Sequence, residues 1–308
     1  MLRAGLLYLS EQRQVFKFVR SNPIAKRFAS RFVAGETLDT AVAAVRELNA
    51  AGVTATLDLL GESVRTADEA QAAADTAIRM LERIAADRLD ANISVKLTQF
   101  GLDLDPASCV TNAKRVLERV RALDLFMRID MESSAHTQRT LDLVERELYP
   151  AYPTHVGVVI QSYLYRSRQD VPRLIDLGMR VRLCKGAYME PPSVAYPAKS
   201  DVDAAYADLM ELLLSRGTYA ALATHDEALI ARARAYAEAN GVAKDRFEFQ
   251  MLYGVRRDLQ EELVKAGYRM RVYVPFGTQW YPYLMRRLAE RPANIAFILG
   301  NVVKEMLP

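Results

Sequence analysis

Two cysteines in 308 residues, Cys109 and Cys184, are too few and too far apart for a disulfide framework or a thiolate metal site. Their scarcity fits a reducing compartment. Histidine is almost as rare. His136, His155 and His225 are scattered, and no metal is expected. Apolar runs are short: Ala4-Gly5-Leu6-Leu7-Tyr8-Leu9 stops at Ser10-Glu11, too soon for a signal segment. None reaches the roughly 18 residues that cross a bilayer. A soluble chain, peripheral to a membrane at most, is expected. An excess of one charge is also missing. Forty-one Lys and Arg against 38 Asp and Glu leave a formal +3, too little to argue for nucleic acid.

What is present is a regular alternation. From about residue 50, short β-rich runs recur at 53–59, 93–97, 126–130, 157–161, 180–184, 220–224, 247–251 and 271–274. Most are rich in Val, Ile, Leu and Phe, as parallel strands buried on both faces should be. Between them lie amphipathic stretches such as 67–85, 107–121, 137–148, 202–215 and 227–239. No change of composition marks a linker. The expected fold is α/β: one closed (β/α)8 TIM-like barrel over 51–308, preceded by a helical lead-in over 1–50. Within the lead-in, 1–35 reads as an amphipathic helix broken near Ser21-Asn22-Pro23. Residues 37–50 read as a second helix, placed to plug the bottom of the barrel.

Barrels of this kind build their sites at the C-terminal ends of the strands. Reactive residues collect there. Lys96 closes the second predicted strand, Asp130 the third and Gln161 the fourth. Arg182 lies in the fifth, followed by Lys185-Gly186-Ala187-Tyr188; Thr224-His225 follow the sixth, and Tyr273 ends the eighth. The last helical stretch carries Tyr283, Arg286, Arg287 and Glu290 at a spacing that puts all four on one face. Two adjacent guanidiniums call for an anion, and the fork of an arginine matches a carboxylate.

These residues also carry a resemblance. Ile93-Ser94-Val95-Lys96-Leu97, Arg182-Leu183-Cys184-Lys185-Gly186-Ala187-Tyr188, Ala223-Thr224-His225, Phe247-Glu248-Phe249-Gln250-Met251-Leu252 and the Tyr283, Arg286, Arg287, Glu290 face occur in order. From about residue 50 to its end the chain resembles the proline dehydrogenases. The likeness extends to the monofunctional bacterial enzymes and to the corresponding domain of the bifunctional proline-utilisation proteins. The resemblance implies FAD-dependent oxidation of L-proline to Δ1-pyrroline-5-carboxylate, by hydride transfer to flavin N5. It implies that Arg286, Arg287 and Lys96 hold the proline carboxylate, while Ala187, Leu252, Tyr273 and Tyr283 shape the ring pocket. Asp130, Arg182 and Tyr273 form the implied catalytic group, with Asp130 beside Lys96 as its counter-charge and Arg182 closest to N5. The implied FAD contacts are Met131, Gln161, Arg182, Lys185, Gly186, Ala187, Thr224 and His225. Electrons are expected to pass to a membrane quinone through transient contact with the inner face of a bacterial cell membrane. The enzyme itself would be cytoplasmic, with a pyrroline-5-carboxylate dehydrogenase as its pathway partner.

The chain also departs from the family pattern. Gly277-Thr278-Gln279-Trp280 stands where relatives often have Gly-Thr-His-Glu, with about two residues fewer before Tyr283. Asp130-Met131-Glu132 replaces a common Asp-Ala-Glu, and Tyr253-Gly254-Val255-Arg256 follows the Phe-Gln-x-Leu motif. Two other readings use the same residues. One is a barrel aldolase or lyase with Lys96 or Lys185 as a Schiff base. The other is a non-catalytic barrel that binds a small anion through the arginine pair.

Overall fold

A computed structural model describes residues 29–61 and 63–290, with side chains as far as residue 285. The helix expected before residue 29 and the side chains of Arg286, Arg287 and Glu290 lie outside the described residues. After a first helix, α1 (Leu38–Ala50), strand and helix alternate. The order is β1 (Thr54–Leu59), α2 (Ala67–Ala86), β2 (Ala91–Val95), α3 (Pro106–Ala122), β3 (Met127–Ile129) and α4 (Ser134–Leu143). Then come β4 (Val156–Gln161), α5 (Ser167–Asp176), β5 (Arg180–Cys184), α6 (Lys199–Arg216), β6 (Ala220–Ala223) and α7 (Glu227–Ala239). The series ends with β7 (Phe247–Leu252), α8 (Arg257–Lys265), β8 (Met270–Phe276) and α9 (Trp280–Glu290). All neighbouring strands pair in parallel, and β8 returns to β1 with Thr56 opposite Tyr273, so the sheet closes into a barrel. The expected (β/α)8 architecture is what forms. Among the described residues no helix is long and apolar enough to cross a membrane.

Two faces of each strand have different fates. Ala55, Leu57, Ile93, Val95, Met127, Ile129, Val181 and Leu183 join the apolar core shared with the surrounding helices. Their neighbours along each strand point to the barrel axis. There the strands are not apolar, against the expectation from composition. Thr56 donates to Asn92 Oδ1 at 2.6 Å, and Arg271 Nε donates to Glu248 Oε1 at 2.9 Å. Arg128 Nη1 donates to the carbonyl of Arg180 at 2.6 Å, and its guanidinium lies 4.8 Å from the centre of the Phe126 ring. Gly157 makes this possible. A Cβ there would stand 2.3 Å from the Arg180 carbonyl and 2.7 Å from Arg128 Nη1. Charge is tolerated in so dry a place only when paired and hydrogen-bonded, which is why the inward residues come in complementary sets.

Helix α1 does not plug the bottom. Its approach is tied to the top of β8, where Ala34 N–H donates to the Pro275 carbonyl at 2.9 Å and Gly277 N–H to that of Gly35 at 3.0 Å. A capping box between Thr37 and Thr40 starts the helix. It then descends the outer wall, with Ala41, Val42 and Val45 buried against β1 and β8, and ends beside Asn49, whose amide reaches the Val53 and Asp90 carbonyls. That wall position is the one a helix after β8 would ordinarily fill. Because α1 holds it, α9 turns over the mouth, where Trp280, Tyr281, Tyr283 and Leu284 pack on Ala29, Val33 and Leu60.

Candidate active site

The C-terminal ends of the strands surround a cavity of about 1680 Å³. That exceeds the roughly 300–1,000 Å³ that houses a drug-sized ligand, so an extended cofactor and a small substrate can share it. Lys96, Asp130, Met131, Gln161, Arg182 and the Lys185-Gly186-Ala187 turn line it. So do Thr224, His225, Leu252, Tyr273 and Tyr283. Every predicted site residue with a described side chain therefore reaches one cavity. The places of Arg286 and Arg287 fall outside the described side chains.

Asp130 is the hub. Its Oδ1 accepts from Arg182 Nη1 at 2.8 Å and from Ser94 Oγ at 3.1 Å, while Oδ2 accepts from the Tyr273 hydroxyl at 2.6 Å. Tyr273 is half-buried in the middle of β8, which runs on to Phe276, rather than at its end; the strand is longer than its β-branched stretch suggested. Burial pushes the Tyr273 phenol well above its ordinary value, and the Asp130 charge adds to this. The hydroxyl therefore stays a donor. Arg182 is 5% exposed, and its Nε and Nη2 are buried with no hydrogen-bond partner among the described residues. A fixed guanidinium with unused donors at a cavity wall is suited to an electron-rich acceptor.

The partner of Lys96 differs from the expected one. Lys96 Nζ donates to Asp58 Oδ1 at 3.1 Å, whereas Asp130 Oδ2 lies 3.9 Å away. Sequence reasoning passed over Asp58, although an acid between two leucines in a strand was a visible signal. It also passed over Gln99. The Gln99 carboxamide donates to the Leu59 and Gly61 carbonyls at 2.8 and 2.7 Å and accepts from the Lys96 N–H at 3.3 Å, clamping the end of β1 to the turn after β2.

The remaining wall is held by shorter-range contacts. Gln161 Nε2 donates to the Glu132 carbonyl at 2.9 Å, tying β4 to the segment after β3. Gly186 has φ +119°, and a Cβ there would lie 2.4 Å from the Tyr163 ring, so the turn that presents Ala187 requires glycine. His225 Nε2 accepts from the Leu252 N–H at 2.9 Å, joining the ends of β6 and β7. Lys185 Nζ donates to Asp203 at 2.5 Å and Asp226 at 2.8 Å. Burial alone would raise both carboxyls, yet Lys185 outweighs it and holds each below the usual range. Both lysines of the aldolase reading are thus members of ion pairs rather than free amines, and that reading is not favoured. Cys184 borders the cavity, Cys109 is buried, and neither forms a disulfide.

The profile of the Proline dehydrogenase family matches residues 41–299. The chain belongs to the proline dehydrogenase family. It is 41% identical over 305 residues to Proline dehydrogenase 1 of Bacillus subtilis subsp. natto, covering 99% of this chain and 100% of that one. It is 40% identical over 307 residues to Proline dehydrogenase of Deinococcus radiodurans, covering 99% and 98%. Its barrel also superposes, with a TM-score of 0.82 and 27% identity, on proline utilization A from Bdellovibrio bacteriovorus inactivated by N-propargylglycine. That match covers 91% of this chain but only 34% of the longer one. Membership makes the chain an oxidoreductase, so the mouth of the barrel is where an oxidation must be explained.

Proposed function

We propose that this chain oxidises L-proline to Δ1-pyrroline-5-carboxylate with FAD bound in the cavity, and that the electrons leave to a membrane quinone. The observation that carries the reading is the pairing, in one cavity, of Arg182 with two buried unused N–H donors and Lys96 with its ammonium at the wall. FAD, when bound, supplies the hydride-accepting ring. Arg182 would face that ring, with Met131, Gln161, the Lys185-Gly186-Ala187 turn, Thr224 and His225 along the rest of the cofactor. Asp130 engages both oxygens in holding Arg182, Ser94 and Tyr273, so its part is to orient them.

Lys96, joined by Arg286 and Arg287 on the reading of the sequence, would grip the proline carboxylate. Such charge-assisted contacts are short and directional, and they fix the ring for reaction. A cluster of cations also disfavours a protonated amine beside it, and only a neutral nitrogen can lose hydride from the adjacent carbon. Ala187, Leu252, Tyr273 and Tyr283 would wall the ring from water. The absorption spectrum of the purified protein, taken before and after anaerobic addition of L-proline, tests the proposal. A yellow protein whose visible flavin band bleaches with proline is expected; a colourless protein, or a band that proline leaves unchanged, would overturn it. Quinone reduction in detergent then tests the electron exit.

A further inference from the structure

We infer that Asp58 is a positioning residue that acts through Lys96 on the substrate carboxylate. The inference rests on the proposed proline oxidation. Asp58 sits near the C-terminal end of β1, paired in register with Ser94 of β2, and both it and Lys96 are buried at the cavity wall. The ammonium of Lys96 lies between two carboxylates but is shared unequally, 3.1 Å from Asp58 and 3.9 Å from Asp130. Asp130 is already engaged by Arg182, Ser94 and Tyr273. Asp58 therefore supplies the nearer anchor that keeps Lys96 in place while leaving Asp130 to its own three donors.

The ionisable groups acting on Asp58 are Lys96 after β2, Asp130 after β3 and Tyr273 of β8. Burial raises its carboxyl to about 6, against the pull of Lys96 and with the push of Asp130. A strand position that keeps so costly a charge beside a cavity lysine points to a use at the site. Remove the Asp58 charge, and the more distant Asp130, 3.9 Å away, becomes the nearer of the two described carboxylates for Lys96. Moving toward it would draw the ammonium off the carboxylate and disturb the Arg182 and Tyr273 contacts together.

A double-mutant cycle on holoenzyme tests this, reading the proline Kd and limiting rate of anaerobic flavin reduction for wild type, D58N, K96M and D58N/K96M. D58N is expected to weaken proline binding by roughly tenfold, the worth of one charge-assisted contact, with a smaller loss of limiting rate. In the K96M background the same change should cost nothing further. Penalties that simply multiply would show that Asp58 does not act through Lys96, and would overturn the inference. If D58N yields no holoenzyme, the pH dependence of proline Kd in wild type and K96M decides instead. Binding should weaken below about pH 6 in wild type, where Asp58 takes up a proton, and K96M should lack that break. Identical profiles would sink the inference. A wild-type holoenzyme that proline does not reduce would remove the function and the inference with it, whereas a responsive wild type with multiplying penalties removes the inference alone.

Discussion

The barrel holds two ionic networks, one at each end of its axis, and they differ in what they border. At the N-terminal end Glu248 accepts from Arg271 at 2.9 and 3.1 Å and from Tyr219 at 3.1 Å, and Gln250 donates to it as well. The guanidinium of Arg180 is 4.4 Å from the centre of the Phe126 ring and 4.6 Å from that of Tyr219. Here charge serves folding: it fills the axis of a barrel whose inward positions are too large and too polar for an apolar plug. At the C-terminal end Asp58, Lys96, Asp130, Arg182 and Tyr273 form a network of similar composition, yet Arg182 keeps two donors unused. Arg128 and Arg180 of the lower network also keep a buried Nε without a hydrogen-bond partner among the described residues, so unused donors alone do not separate the ends. The upper network lines the cavity and the lower one does not, and that difference marks the site.

Breaking the lower network should have the largest effect on stability. Glu248→Leu leaves Arg271 and Arg128 without their shared carboxylate, and removing one partner of a buried pair costs about 3–5 kcal/mol. Urea unfolding should show the midpoint falling sharply. A loss below about 1 kcal/mol, the usual worth of an exposed pair, would mean that solvent reaches the barrel floor. The upper network should fail in the opposite way. Arg182→Ala is expected to slow flavin reduction at saturating proline by about a hundredfold, the usual cost of one donor at a reacting centre. Its urea midpoint should move less than that of Glu248→Leu. An unchanged reduction rate in anaerobic stopped flow would remove Arg182 from the reacting centre and erase the contrast between the two ends.

Acid should separate the ends by sign, with the smallest effect of the three. Burial raises the Asp58 carboxyl from 3.8 to about 6, so the folded chain holds that proton more tightly than the unfolded one. Its contribution to stability is full below about pH 4 and is lost as pH rises through about 6. Glu248 is the reverse. Burial would raise its carboxyl, but Arg271 outweighs burial and holds it below the ordinary 4.5, so its contribution is present above that pH and lost in stronger acid. Unfolding free energies of wild type and D58N between pH 4 and 7 check this. The wild type should lose stability relative to D58N as pH rises across that interval, and parallel curves would contradict the Asp58 environment described above.

Much of this molecule was legible before folding. The strand at Arg180–Cys184 and the helix at Glu227–Ala239 match their sequence patterns to the residue. The polar residues at successive strand ends do meet in one cavity. Other features were hidden for definite reasons. Asp58 sits in a strand whose leucines drew attention to the outward face, while its own value comes from Lys96, 38 residues away. The sequence places Tyr273 at a strand end, with the β-rich run over 271–274, yet β8 continues to Phe276. Pro275 can stand opposite Asp58 there because a missing N–H near the end of a strand costs the ladder little.

Alternation of strand and helix periods, carried by residue order alone, determined that eight parallel strands would close with their reactive residues at one end. That information is local, since the direction of each side chain follows from its place in a strand. Which lysine meets which carboxylate, which helix covers the wall and which covers the mouth, and where a guanidinium keeps free donors were decided only by the tertiary structure. These depend on distances across the barrel, set by shear and by the volumes of side chains from several strands at once. A difference of less than 1 Å, between 3.1 Å to Asp58 and 3.9 Å to Asp130, separates the anchor of Lys96 from its neighbour.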